Sequence, residues 1–185
     1  MNLFDSHAHY NDEKFEADRD EIINKIYQNG VLDMVCAGYS FDSSILAVEI
    51  SKKYNNMFAT CGISPNDINE NYISEISKLK EFIVKNKNKI VAIGEIGLDY
   101  YWNKENKEEQ KDAFIRQIEL ANTLDLPIVI HTREAVMDTI DVIKNQKKSN
   151  NAGVFHCCPL NIELVKEAVK LGYYISFSGN ITFKS

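Results

Sequence analysis

The sequence predicts an α/β protein that repeats one strand–helix unit along its whole length. Apolar residues recur with a period near two in short segments, and with a period near 3.6 in the longer segments between them. The connections between these segments are short, and none of them is of low complexity. Because strands that alternate with helices pair in parallel, we expect one parallel sheet that is covered by helices.

Seven segments have the apolar pattern of strands, and most of them end at a glycine, a proline or a polar turn. The predicted strands cover residues 2–9, 31–39, 57–63, 89–96, 128–132, 153–158 and 173–177. The fourth strand is expected to break at Gly97, and the fifth opens after Pro127.

Six helices are predicted between the strands from apolar residues at helical spacing. The first begins at about Asp12 and ends at Gly30, which suits a C-terminal cap, and the second takes Asp42 as its N-cap. The apolar residues of the other four helices begin at Ile73, Phe114, Val136 and Ile162. The polar run 145–151 is a loop and not a linker, so residues 1–185 are predicted to form a single domain.

Composition and charge narrow the class of protein. The chain is 44% hydrophobic and 26% charged, as is usual for a soluble globular protein, and its net charge of −6 argues against a broad basic surface for duplex nucleic acid. No signal peptide or membrane-spanning run is readable. The four cysteines form no C-x-x-C pair, so we expect reduced thiols and a cytoplasmic location.

Residue types that bind metals stand at the ends of four predicted strands. His7 and His9 share one face of the first strand, where two imidazoles can bind one divalent cation. The chain's other two histidines, His131 and His156, fall at the ends of strands five and six, and Glu95 falls at the end of strand four. A buried glutamate needs a cation or a tight partner, and the alternative to a metal is a salt bridge to Arg133.

The distribution of these residues favours a barrel over an open doubly wound sheet. An open sheet brings ligands together mainly at one switch point, whereas a closed ring directs the ends of many strands at one axis. A TIM-type (β/α)8 barrel has eight strands and typically about 250 residues. This chain supplies about seven strands in 185 residues. We therefore predict an incomplete TIM-type barrel whose eighth strand is missing.

Four motifs resemble the TatD family of metal-dependent deoxyribonucleases, which belongs to the wider amidohydrolase-like barrels. They are D-S-H-A-H at 5–9, G-E-I-G-L-D-Y-Y at 94–101, P-I-V-I-H-T-R-E-A at 127–135 and H-C at 156–157. The resemblance runs in order along the whole chain, and residues 172–184 are similar to the family's seventh strand and the loop beyond it.

The resemblance implies a site with two divalent metal ions (Mg, Mn or Zn) and the hydrolysis of phosphodiester bonds, with DNA 3′ ends as substrate. Glu95 would be the catalytic, bridging ligand, His7 and His9 would bind one ion, and His131 and His156 would bind the other. The family's remaining ligand is an aspartate on the eighth strand, which this sequence does not contain, so we expect weaker metal binding and a lower rate. Cys157 or Cys158, beside His156, is an alternative ligand to weigh against plain packing.

Two further positions are candidates for contact with a substrate phosphate. Arg133 has the planar fork that matches a phosphate, and its alternative is an ion pair with Glu134 or Asp99. Ser64 stands where the family usually has a histidine, and this replacement should weaken or alter phosphate contact.

Aromatic residues follow strand four and could face unpaired bases. Tyr100, Tyr101 and Trp102 would stack on the bases of a strand end, or pack over the barrel rim, and we expect at least one of them to pack. Asp5 shares the face of His7 and is a candidate partner for its imidazole.

Two other functions remain open at this point. One is an amidohydrolase that acts on a small molecule, and the other is a catalytically silent or structural relative. Seven strands would also leave strands one and seven as unpaired edges. We therefore expect a homo-oligomer whose partner chains cover the gap, a distorted seven-stranded barrel, or a truncated product of poor solubility.

Overall fold

The strands form one parallel sheet whose spatial order is the same as their order in the chain. A computed structural model describes residues 2–146 and 152–183, and within them the sheet has seven strands. They are β1 (Leu3–Ala8), β2 (Val31–Ala37), β3 (Met57–Cys61), β4 (Ile90–Asp99), β5 (Ile128–Arg133), β6 (Gly153–Phe155) and β7 (Tyr174–Ile175). The sheet curls into a half-barrel, so the predicted incomplete TIM-type barrel is confirmed.

Helices connect successive strands and cover the outer face of the sheet. They are α1 (Arg19–Gln28), α2 (Phe41–Lys52), α3 (Tyr72–Lys85), α4 (Lys107–Leu124), α5 (Val136–Asn145) and α6 (Ile162–Lys170). The core contains fully buried side chains such as Met34 of β2, Leu79 of α3 and Phe114 of α4. No helix among the described residues combines the length and the apolar character needed to cross a membrane.

The inner face of the sheet lines a cavity of about 620 Å³. Its lining includes Val35, Val91, Val129 and Val154, one from each of four strands. Val129 and Val154 lie two residues before His131 and His156 and therefore share their face of the sheet. The inner face is thus apolar below the histidines, as a barrel with a polar mouth requires.

The two edge strands of the described sheet, β1 and β7, carry exposed aromatic side chains. Phe4 is 59% exposed and Tyr174 is 78% exposed, and both line the inner cavity. The expected homo-oligomer, in which a partner chain covers these edges, stays a prediction.

The prediction that the fourth strand breaks at Gly97 is wrong, because β4 continues to Asp99. Gly97 pairs with His131 of β5 and has φ of +141°. The His131 carbonyl oxygen lies where a Cβ atom at this position would stand. The glycine therefore permits a close approach of two strands and does not end one of them.

Smaller differences from the predicted elements arise at helix starts. Ser40, and not Asp42, is the N-cap of α2, since its side chain accepts a hydrogen bond from the backbone N–H of Ser43. Asp12 caps a short 3₁₀ helix, Glu13–Phe15, and α1 itself begins later. Residues 147–151 of the predicted loop lie outside the described residues.

Replacing Gly97 by alanine should destabilise the protein by at least about 2 kcal/mol, because the new methyl group meets the backbone of β5 in an unfavourable conformation. Gly172→Ala is the matched control, since Gly172 also has positive φ (+83°) but no atom lies within 4 Å of its added Cβ. Its cost should be only about 1 kcal/mol. Urea denaturation of both variants measures the difference, and equal losses would contradict the close approach.

Candidate metal centre

The five residues that the sequence offers as metal ligands meet at the carboxyl ends of the strands. His7 lies on β1 and His9 follows it, Glu95 lies on β4, His131 lies on β5, and His156 follows β6. Glu95 is only 7% exposed, and its backbone N–H donates to the Gly38 carbonyl oxygen. The curl of the sheet therefore brings residues from four separate stretches of the chain to one point.

Each oxygen of the Glu95 carboxylate faces a different pair of imidazoles. Oε2 lies 3.1 Å from Nε2 of His7 and 3.3 Å from Nε2 of His9. Oε1 lies 3.0 Å from Nδ1 of His131 and 3.0 Å from Nε2 of His156. Within each pair the two imidazole nitrogens are 3.1 Å apart. The site thus contains two triangles of donor atoms that share one carboxylate.

The outer nitrogens of two imidazoles fix which way their lone pairs point. Nδ1 of His9 lies 3.0 Å from the carbonyl oxygen of Ala37, and Nε2 of His131 lies 2.9 Å from Oδ2 of Asp99. A carbonyl or a carboxylate oxygen only accepts, so each of these nitrogens donates. The other nitrogen of each neutral ring therefore directs its lone pair at Glu95.

His7 is held differently, by stacking. Its ring lies parallel to that of His156, with centroids 3.9 Å apart and an angle of 13° between the planes. Its buried Nδ1 has no hydrogen-bond partner among the described residues. The four imidazoles therefore differ in how firmly their orientation is set.

Burial and mutual contacts act in opposite directions on the charges of the site. Burial lowers the pKa of His7 to about 4, although contact with Glu95 acts the other way. Burial also lowers the pKa of His131, but contacts with Asp99 and Glu95 outweigh it and raise that pKa to about 9. Burial raises the pKa of Glu95, but its contacts with the imidazoles of His131, His156, His7 and His9 lower it well below the usual value. Glu95 is thus a buried anion surrounded by imidazoles.

This arrangement suits divalent cations. Lone pairs that face a carboxylate oxygen repel it unless a positive charge lies between them, and a cation or a proton can supply that charge. Donor atoms that bind one ion at 2.0–2.2 Å stand about 3 Å apart, and the atoms of both triangles do so. Ligand atoms of His7, Glu95 and His156, which include one histidine from each triangle, also lie within 4.8 Å of one another, and this group contains no cysteine. The residues therefore fit a metal centre.

Asp99 is a buried residue of the site that the sequence analysis named only as a partner for Arg133. It is fully buried, contacts His131 directly, and its pKa falls to about 2, because that contact and backbone N–H donors outweigh the effect of burial. Asp99 lies four residues after Glu95 on β4, so the two side chains share one face of the strand. That parity would have identified it if the strand had been extended through Gly97.

The aromatic rim consists of Tyr101, Trp102 and Arg133, which lie together at the mouth of the barrel. The Arg133 guanidinium carbon lies 3.8 Å from the centroid of the Tyr101 ring and 5.4 Å from that of Trp102. Trp102 is 68% exposed and Tyr101 is 44% exposed. Arg133 therefore stacks on the rings, in place of either of the ion pairs considered from the sequence.

Two predicted substrate contacts lie away from this rim. Tyr100 is buried and its hydroxyl donates to Asp138, so it packs as at least one of the three aromatic residues was expected to do. Ser64 is also buried, and its hydroxyl donates to Oδ2 of Asp67 at 2.5 Å. Each hydroxyl therefore donates to a carboxylate of the protein, and the contact of either residue with a substrate stays a prediction.

Asp5 does not hold the His7 imidazole as the strand parity suggested. Its Oδ1 accepts from the backbone N–H of His7, and its Oδ2 accepts from the Tyr10 hydroxyl. The alternating pattern predicted that Asp5 faces inward with His7, but Phe4 and Ser6 line the inner cavity, and the register of β1 is irregular between Asp5 and Ala8. Asp5 therefore lies on the other face of the strand. The carboxylate that orients an imidazole is Asp99 instead.

Comparisons with known proteins agree with this geometry. Residues 4–185 match the family described as TatD related DNase. The "uncharacterized metal-dependent hydrolase YabD" of Bacillus subtilis is 36% identical over 99% of this chain and 71% of its own length. YcfH of Escherichia coli K12, named in the same terms, is 30% identical over 100% of this chain and 69% of its own length.

A solved structure shows the same fold. The crystal structure of YjjV, a TatD homologue from Escherichia coli, superposes with a TM-score of 0.89 at 24% identity, and covers 98% of this chain and 70% of that one. At that level of identity the likeness concerns the fold alone.

Glu95→Gln should weaken the binding of zinc or manganese by at least about 10- to 100-fold, because an amide cannot offer two anionic oxygens to two sets of imidazoles. Equilibrium dialysis with metal analysis measures the affinity. Glu134→Gln is the control, since Glu134 is exposed beyond the end of β5 and, within residues 2–146 and 152–183, its carboxylate pairs only with Lys104 at 4.0 Å. Unchanged affinity in Glu95→Gln would remove Glu95 from the centre.

The metal-free protein should lose stability between pH 6.5 and about 9. The pKa of His131 in the folded protein lies above the usual histidine value of 6.5, so its contribution to stability is full below pH 6.5 and is lost as pH rises through about 9. At about 1.4 kcal/mol per pKa unit, the rise of the pKa from 6.5 to about 9 limits the loss to roughly 3.5 kcal/mol. Urea denaturation in EDTA at several pH values measures it. A His131→Gln variant with the same slope would show that another group is responsible.

Proposed function

Since the chain belongs to the TatD related DNase family of metal-dependent hydrolases, we propose that it hydrolyses phosphodiester bonds of DNA, beginning at single-stranded or 3′ ends. The observation that carries the proposal is the division of the Glu95 carboxylate between two pairs of imidazoles. A carboxylate so placed suits a centre with two ions.

The two triangles assign the ligands of the proposed centre. His7 and His9 would hold one ion with Oε2 of Glu95, and His131 and His156 would hold the other with Oε1. Two divalent cations supply stabilisation of the attacking and leaving oxygens of an in-line displacement. Magnesium, manganese and zinc are the candidates, because imidazole suits zinc whereas carboxylate suits magnesium and manganese.

The protein's own groups would position the substrate. The guanidinium of Arg133 is held flat by Tyr101 and remains exposed, so its N–H groups can donate to two oxygens of one phosphate. The exposed face of Trp102 offers a surface on which a base can stack. A base inside a duplex has no free face, so this contact favours an unpaired strand end.

The net negative charge of the chain favours contact with a few nucleotides of DNA over contact along an extended stretch of duplex. A net charge of −6 disfavours a groove that follows the duplex backbone. One arginine and one or two rings at the mouth of the barrel are enough to place a terminal nucleotide. The four free cysteines support the accompanying proposal of a reducing, cytoplasmic setting.

The proposal is tested by the shortening of a 5′-labelled single-stranded oligonucleotide with added magnesium or manganese. We expect stepwise loss from the 3′ end, slower loss from a blunt duplex and none in EDTA. Arg133→Ala should raise KM by about 10-fold or more through the lost charge-assisted bonds, and Arg133→Lys should lie between it and the wild type.

Two results would contradict the proposal in different ways. Bound metal without any shortening of DNA would favour the silent relative. Hydrolysis of small amides or lactones, with DNA left intact, would favour the amidohydrolase reading.

A further inference from the structure

Asp99 joins the metal centre to the aromatic rim through its two carboxylate oxygens. Oδ2 accepts from Nε2 of His131 at 2.9 Å and from the Asn66 side-chain amide at 3.3 Å. Oδ1 accepts from the backbone N–H groups of Tyr101 at 2.9 Å and Trp102 at 3.1 Å. One oxygen thus serves a proposed metal ligand, and the other serves the loop that carries the rim.

The backbone of Asp99 is fixed independently by Gln110 of α4. Oε1 of Gln110 accepts from the Asp99 N–H at 2.8 Å, and its Nε2 donates to the Asp99 carbonyl at 3.1 Å. The same amide donates to the Asn103 carbonyl at 3.0 Å, which fixes the far side of the loop. Both Asp99 and Gln110 are fully buried. The carboxylate is therefore the only group of Asp99 left to respond to His131.

The rim depends on the backbone that this carboxylate holds. Tyr101 and Trp102 pack edge to face with centroids 4.8 Å apart, and Arg133 lies over both rings. Arg133 is also the residue of β5 that pairs with Asp99 in register. A small movement of the two N–H groups would therefore shift both rings and the guanidinium that rests on them.

We propose that Asp99 is a positioning residue that couples metal binding at His131 to the arrangement of the aromatic rim. The proposal rests on the metal-binding role of His131 in the proposed function. A cation at Nδ1 makes Nε2–H a stronger donor and pulls Oδ2 toward the imidazole. Because both oxygens belong to one rigid carboxylate, a movement of Oδ2 also moves Oδ1, and the backbone N–H groups of Tyr101 and Trp102 that donate to Oδ1 move with it. Coupling is reciprocal, so a nucleotide bound on the rim strengthens metal binding by the same factor.

The chain contains a single tryptophan, Trp102, which makes the coupling visible without any measurement of activity. The experiment titrates the EDTA-treated protein, residues 1–185, with zinc and follows both bound zinc and Trp102 fluorescence. Zinc is chosen because it is not paramagnetic and therefore does not quench the emission by that route. In the wild type we expect an emission change with the same midpoint as binding. Addition of a short single-stranded oligonucleotide should then lower the zinc dissociation constant.

Asp99→Asn keeps the shape of the side chain, but its single accepting oxygen cannot serve both the His131 imidazole and the backbone N–H groups of Tyr101 and Trp102. We expect zinc affinity to fall by about 10- to 100-fold and the emission change at saturating zinc to disappear. Asp138→Asn is the matched control. Its carboxylate accepts from the Tyr100 hydroxyl and pairs with Lys111, but the distances that define the centre do not involve it. It should respond to zinc as the wild type does.

The outcomes separate this coupling from the proposed function. Zinc bound in the wild type with unchanged emission, or an Asp99→Asn variant with the full response, overturns the coupling and leaves the nuclease proposal in place. A full response without hydrolysis of DNA supports the coupling and overturns the nuclease proposal. A wild type that binds no zinc overturns both.

Discussion

A single buried negative charge, that of Glu95, determines how the rest of this fold must be arranged. A carboxylate that is almost fully removed from water is costly unless positive charge or hydrogen-bond donors surround it. Here the surroundings are four imidazoles at 3.0–3.3 Å. They are supplied by β1 and β5 and by residues that follow β1 and β6. Those groups reach one point only if the sheet curls, so the half-barrel and the centre depend on each other.

The same requirement explains the layers of the inner face. Below the histidines the strands present valines, which need no partners, and at the strand ends they present groups that do. Outside the ring of histidines stand oxygens that only accept, the Ala37 carbonyl and the Asp99 carboxylate. Polarity therefore changes from the apolar interior to the imidazoles and then to the acceptors of His9 and His131, whereas the buried Nδ1 of His7 has no partner among the described residues.

Much of this could be predicted from the sequence, because strand parity and residue type carry the information. His-x-His on one strand, and a glutamate and two histidines at the ends of three others, required only a period of two and a parallel sheet. The extent of β4 could not be found in that way. A glycine within an apolar run signals a break, and only the backbone of β5 beside Gly97 shows that it permits pairing.

The sequence also could not predict which of several possible partners a side chain contacts. Arg133 had three chemically sensible partners, and the ring of Tyr101 was not among them, because stacking depends on the path of a loop. Parity placed Asp5 on the face of His7, but Phe4 and Ser6 line the inner cavity, and an irregular register separates Asp5 from Ala8 in β1. Parity gives the face of a residue only where the strand is regular, and rotamers and loop paths then decide its contacts.

The two halves of the centre are supported unequally, and this follows from where their outer partners lie. On the side of His131 the buried Asp99 carboxylate fixes the imidazole, and Gln110 of α4 fixes the backbone of Asp99. On the side of His9 the outer partner is a backbone carbonyl, and the His9 side chain is 33% exposed. Since a charged acceptor increases the basicity of an imidazole more than a neutral one, the half at His131 should bind a cation more firmly than the half at His9. The imidazole of His9 is also the more exposed of the two, at 33% against 19% for His131.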